Sequence, residues 1–176
     1  MENHVILVNE KDEVLGTMEK IQAHEEALLH RAFSVFVFNS KGQLLLQQRA
    51  GHKYHSPFLW SNTCCSHPMP GEDTLDAANR RMMEEMGMKV NLKEEFHFIY
   101  KAPFSNGLTE HELDHVFVGY SDMLPNINRE EVADYRYIDP VKLSKQMKST
   151  PGRYTEWFKI CFEEVISRHG LNLEVA

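Results

Sequence analysis

The chain has 176 residues, 42% of them hydrophobic, with 19 Lys and Arg against 26 Asp and Glu for a formal net charge of −7. This suits one compact domain with a real core, and an acidic balance without a basic cluster argues against a nucleic-acid surface. The start Met1-Glu2-Asn3-His4 lacks a basic leader region, and no apolar run approaches the roughly 20 residues that span a bilayer. Three cysteines, two of them adjacent, cannot build a disulfide framework, so a soluble cytoplasmic protein with free thiols is expected.

Taken in order, Val5 to Val8 reads as a buried strand and Asn9 to Asp12 as the turn after it. The run Glu19 to His30 has weak helical periodicity in its second half and sets His24 and His30 six residues apart. Ala32 to Phe38, rich in Phe and Val, predicts a strand; Asn39 to Gly42 is a hairpin turn and Gln43 to Arg49 its return strand. Ala50 to Trp60 carries Gly51, Pro57 and the bases His52, Lys53 and His55, the mark of a loop over a site. Asp73 or Thr74 can cap a helix whose stripe is Leu75, Ala78, Met82 and Met86 and whose end is Gly87.

Phe96 to Tyr100 predicts a strand, followed by a loop from Lys101 to Leu108. In the alternating run Thr109 to Tyr120, Glu110 and Glu112 share one strand face and His111 takes the other. Asp122 to Asn128 reads as a turn region, Tyr135 to Ile138 as a late strand, Pro140 to Lys148 as a short helix, and Thr155 to His169 as a last helix ended by Gly170. The whole is a mixed α/β (α+β) domain.

The densest chemistry lies in Asn62-Thr63-Cys64-Cys65-Ser66-His67-Pro68 and the helix after it. From Ser66, Glu72, Arg80, Met82, Glu84, Glu85, Gly87 and Met88 fit G-x5-E-x7-R-E-U-x-E-E-x-G-U, where U is bulky and apolar. This spacing resembles the Nudix family, which implies a mixed sheet flanked by helices in a single domain over 1–176, with the motif core at about 20–120, and helix carboxylates that hold Mg²⁺ against a diphosphate. Ser66 stands for the first Gly and Arg81 for the first Glu of the R-E pair. An arginine there suits a phosphate better than a cation. The plain structural alternative is an amphipathic surface helix with i,i+4 pairs such as Arg81 with Glu85.

His24, His30, His67, Glu110 and Glu112 together offer three nitrogen and two carboxylate donors, a set that suits Mn²⁺, Zn²⁺ or Mg²⁺. With Lys20, Cys65-Ser66-His67-Pro68, the altered box, Glu110-His111-Glu112 and Trp157, the chain from about Val5 to Ile166 resembles the type I isopentenyl-diphosphate isomerases. The resemblance implies that those five residues bind the resident metal and that Cys65 and Glu112 are the catalytic pair. It also implies that Glu85 meets the Mg²⁺ bound with substrate, that Lys20, Arg49, Lys53 and Arg81 contact the diphosphate, and that Tyr100 and Trp157 lie near the isoprenoid carbons. Alternation along an extended segment favours Cys65 over Cys64, with Thr63 and His67 on the same side, and Cys161 reads as a small core residue.

The expected reaction moves a double bond through a tertiary carbocation in the making of isoprenoid precursors, with Glu112 favoured as proton donor, Cys65 thiolate as acceptor, and an indole face for the cation. The expected partner is a small isoprenoid diphosphate, and the expected state a monomer, with a dimer as the alternative. A Nudix pyrophosphohydrolase, or a metal- or phosphate-binding module that has kept the box, are the competing readings.

Overall fold

The computed structural model describes residues 3–53 and 55–169. Nine strands form one mixed sheet: β1 (His4–Val8), β2 (Val14–Glu19), β3 (His30–Phe38), β4 (Leu44–Arg49), β5 (Trp60–Ser61), β6 (Cys64–Ser66), β7 (Lys93–Pro103), β8 (Thr109–Tyr120) and β9 (Val132–Ile138). The helices are α1 (Lys20–Glu25), α2 (Thr74–Arg81), α3 (Pro140–Ser149) and α4 (Glu156–Arg168). Among the described residues no helix is long and apolar enough to cross a membrane.

β3 is the centre. It is buried on both faces, which is why it reads as an almost unbroken apolar run. Its even-numbered residues Phe36 and Phe38 meet α4 through Phe158 and Phe162, and its odd-numbered Phe33, Val35 and Val37 meet α2 through Ala77 and Ala78, and Met82 just after it. β3 and β8 run parallel in a register that sets His30 beside Glu112 and Ala32 beside Asp114. A slip of one residue would turn Glu110, Glu112 and Asp114 of β8 away from β3's even face.

The predicted hairpin forms its turn, but β3 and β4 meet in one pair only, Phe38 with Leu44. The rest of β4 pairs with β9 and β5, because the edge of β3 is taken by β6. Thr63 bridges the divergence: its hydroxyl accepts from the Val37 amide at 2.9 Å and donates to the Leu45 carbonyl at 2.7 Å. Thr63 is therefore a strand linker and does not share a face with Cys65 and His67 in the cleft, as alternation had suggested.

Four other expectations change. Residues Glu19 to His30 are helical in the first half, with Glu19 accepting from the Gln22 amide as cap, and the second half turns through a left-handed Ala27 into β3. β2 has an exposed, weakly apolar pattern that gave no strand signal. β7 runs on to Pro103, so the loop before β8 is shorter than expected. The box helix is capped by Asp73 as expected, but after Arg81 it widens into a π-helical turn from Met82 to Met86 before the left-handed Gly87; Leu75, at 37% exposure, lies outside the apolar stripe. Gly170 lies outside the described residues.

Candidate active site and metal centre

α1, β3, β6 and β8 converge on one cluster. The donor atoms of His24, His30, His67 and Glu112 lie within 4.8 Å of one another, as do those of His24, His55 and Glu110. The six-residue spacing of His24 and His30 is closed by the turn at Ala27, bringing the rings to 4.8 Å between centroids. His24 and His30 each direct Nδ1 at a backbone carbonyl, Lys20 at 2.6 Å and Leu28 at 2.8 Å. A carbonyl only accepts, so in the neutral rings Nδ1 carries the proton and Nε2 the lone pair. That outer contact fixes the tautomer of histidines that bind metals. His30 Nε2 is buried with no hydrogen-bond partner among the described residues and stands 3.5 Å from Glu112 Oε1, while His67 Nε2 is 2.8 Å from the same oxygen. A buried set of imidazole nitrogens and carboxylate oxygens aimed at one point fits a divalent ion.

Glu110 departs from the expected set, since it groups with His24 and His55 rather than with His30 and His67. One of its oxygens faces His55 Nε2 at 3.2 Å and the other accepts from the Tyr100 hydroxyl at 2.9 Å. The same hydroxyl lies 2.5 Å from Glu112 Oε2, so its single proton is shared between the two carboxyls, which it bridges. Burial, and then Glu112, push the Glu110 carboxyl well up; Glu112 is buried too, but the neighbouring His30 and His67 imidazoles, His67 by a hydrogen bond, hold it well below the usual range.

Cys65 pairs with Ser34 in the β3–β6 ladder and lines the cleft, whereas Cys64 pairs with Val35 and is fully buried in the core under α2. Burial pushes the Cys65 thiol up to about 12, against the pull of Arg49. Charge on sulfur is poorly solvated there, which favours the thiol over the expected thiolate. Cys161 is buried among α4 core residues as expected.

The cleft is lined on its charged side by Lys20, Arg49, Lys53 and Arg81, all four of the residues expected to meet a diphosphate. Burial lowers the Lys20 pKa, and the nearby Lys53 and Arg81 lower it further. Arg81 donates to Glu85 at 2.6 Å and lies 3.2 Å from Glu131, which also pairs with Lys53. Glu85 is 4% exposed and its second oxygen accepts from Gln47 at 2.9 Å, so the i,i+4 pair lies in the cleft wall and not on an outer surface. The other box pair is a brace: Arg80 grips Glu72 at 2.7 and 2.8 Å, and Glu72 accepts from the Met69 amide. Trp157 is anchored through its N–H to Asn62 at 3.2 Å and lines the same cleft, with the Arg49 guanidinium 5.2 Å from its ring centroid. The Nε of Arg49 is buried without a hydrogen-bond partner among the described residues.

A family model for the NUDIX domain matches residues 28–158. The chain is 48% identical over 172 residues to an isopentenyl-diphosphate Delta-isomerase 2 of Aromatoleum aromaticum, covering 98% of this chain and 91% of the relative. It is 51% identical over 161 residues to an isopentenyl-diphosphate Delta-isomerase of Pectobacterium atrosepticum, covering 92% and 90%. The chain belongs to the isopentenyl-diphosphate Delta-isomerase family. Its fold is also that of DR0079 from Deinococcus radiodurans, with a TM-score of 0.75 at 22% identity over 94% of this chain and 98% of that one. A MutT protein from Methanosarcina mazei Go1 gives 0.65 at 16% identity over 82% and 96%.

Within this isomerase-family frame, sequence reasoning missed four partners. His55 was read as a base in a loop over the site, but its ring is 6% exposed, stacked on Phe104 at 5.0 Å and part of the second donor group. Gln47, Asn62 and Glu131 position Glu85, Trp157 and the Lys53–Arg81 pair; single polar residues in apolar or loop segments carried no periodic signal for this.

Burial holds His55 down to about 3 and His67 to about 4, from 6.5. The folded rings are neutral where the unfolded rings charge, so the unfolded state binds more protons between these values. Stability is full above about pH 6.5 and falls as pH drops through 4, by up to about 1.4 kcal/mol per pH unit for each ring. Urea midpoints of the metal-free protein at pH 7, 6 and 5 should decline in step; a flat series would contradict the buried neutral rings.

Proposed function

We propose that this chain interconverts isopentenyl diphosphate and dimethylallyl diphosphate, serving isoprenoid precursor synthesis in the cytoplasm as a monomer. The observation that carries the reading is the convergence in one cleft of Cys65, Glu112 and Trp157 beside four cationic side chains. Hydrolysis of a diphosphate needs none of the first three. Arg81, at the box position where Nudix hydrolases use a carboxylate, suits a diphosphate that is held and not cut.

Lys20, Arg49, Lys53 and Arg81 receive the anion and leave the carbon end toward Cys65, Glu112 and Trp157. The alkene has no acidic proton, so one group must protonate its terminal carbon and another remove a proton from the carbon next to the diphosphate-bearing one. The intervening tertiary cation is stabilised by the quadrupole of the indole face and by the substrate's displacement of water from the cleft. Burial keeps Cys65 as a thiol, which gives it a proton to deliver with Glu112 as acceptor; the order favoured from sequence has Glu112 donate and Cys65 thiolate accept. Donation by Glu112 would first need a proton, and Tyr100 is the group that can relay it. His24, His30, His67 and Glu112 would hold a Mn²⁺, Zn²⁺ or Mg²⁺ ion, with Glu110 brought in through the adjoining His24–His55 group, and Glu85 would meet a Mg²⁺; such ions would supply positive charge to orient the carboxylates and neutralise the diphosphate.

The test is incubation with isopentenyl diphosphate and Mg²⁺ in deuterated water. Dimethylallyl diphosphate with deuterium in a methyl group is the expected product. Release of inorganic phosphate or pyrophosphate with no isomer would favour the hydrolase reading instead.

A further inference from the structure

The face of β8 opposite Glu110 and Glu112 carries a second constellation that the isomerase chemistry does not use. His97 and His115 are direct cross-strand partners in the β7–β8 ladder, with ring centroids 5.5 Å apart. Directly opposed residues share a face. Glu94, three residues before His97, would point to the other face in a regular strand. A bulge between Glu94 and Phe96 shifts the register so that Glu94 opposes Phe117, two residues from His115 on the same face. The re-aimed carboxylate reaches His115 Nδ1 at 2.7 Å, and the donor atoms of Glu94, His97 and His115 lie within 4.8 Å of one another.

The support behind them is also in place. His115 Nε2 meets Asp12 Oδ2 at 3.1 Å, and Asp12 is itself held by Arg31 through its other oxygen at 2.7 Å and its carbonyl at 2.9 Å. A carboxylate on the far nitrogen of a histidine fixes the ring and raises the basicity of the near nitrogen, the arrangement found behind metal-bound histidines. His115 is 8% exposed, while Glu94 and His97 are exposed. The site therefore has a rigid floor and an open side where water can complete the coordination.

We propose that Glu94, His97 and His115 form a peripheral site for a divalent transition-metal ion, separate from the cleft. Two imidazoles and one carboxylate select Zn²⁺ and its neighbours over Mg²⁺. Binding displaces the proton shared by His115 Nδ1 and Glu94 to solvent.

Equilibrium dialysis of the full-length protein against Zn²⁺, with bound metal counted by atomic absorption, tests this. The wild type should hold one more Zn²⁺ per chain than His97→Gln or Glu94→Gln, both exposed substitutions that should keep wild-type isomerase turnover and melting temperature. His67→Ala, which alters the cleft cluster, should retain the peripheral ion, so failure of the cleft assignment shows separately. Equal Zn²⁺ uptake by the wild type and both variants would overturn the proposal and leave the trio as an ion pair.

Discussion

Cys65→Ala is expected to lower turnover of isopentenyl diphosphate by about 10⁴-fold, the upper end of what a positioned acid or base contributes. The size follows from the substrate: an alkene offers no alternative route to the cation, and neither water nor Ser66 matches a thiol in acidity. The loss should fall on kcat more than on KM, because the proposed diphosphate contacts are Lys20, Arg49, Lys53 and Arg81 and not Cys65. Metal content should not change, since Cys65 belongs to neither donor group in the cleft. Cys64→Ala is the control. Its thiol lies fully buried against α2, so that variant should lose stability while keeping most of its turnover. Full turnover by Cys65→Ala would remove the thiol from the mechanism.

The difference between these neighbouring thiols was legible in sequence because alternation in an extended segment is a local rule, and the pairing of Cys65 with Ser34 and Cys64 with Val35 obeys it. The same-face pair Glu110 and Glu112 was legible for the same reason. Thr63 was misplaced where the alternation is broken, in the link between β5 and β6, and its role depends on the separation of β3 from β4, a non-local event. Likewise β2 was invisible because it is an edge strand with little buried surface, and the widening of the box helix after Arg81 has no signature in a 3.6-residue stripe. The four cationic residues came from the family resemblance. That their mutual repulsion is offset by Glu85 and Glu131 needed coordinates, because Glu131 comes from the segment before β9, some fifty residues beyond Arg81 by their numbering.

His67→Ala tests the other half of the site. His67 joins the segment that carries Cys65 to the His/Glu cluster, its Nε2 against Glu112 Oε1 and its ring 5.1 Å from His30 and 5.8 Å from His24. Removing it takes one donor from a set of four and also a hydrogen bond that holds Glu112 below the usual carboxylate range. Bound metal in the purified variant should fall by at least about 10–100-fold in affinity, the loss seen when even an outer partner of a ligand is removed, and turnover should fall with it. Excess metal should restore part of the activity if the defect is ligation, and none if the defect is collapse of the fold. Cys65→Ala, by contrast, should be inactive at every metal concentration. If His67→Ala kept both its metal and its turnover, His67 would be a hydrogen-bond partner of Glu112 only, and the ion would have to sit on His24, His30 and the two carboxylates without help from the loop that carries the thiol.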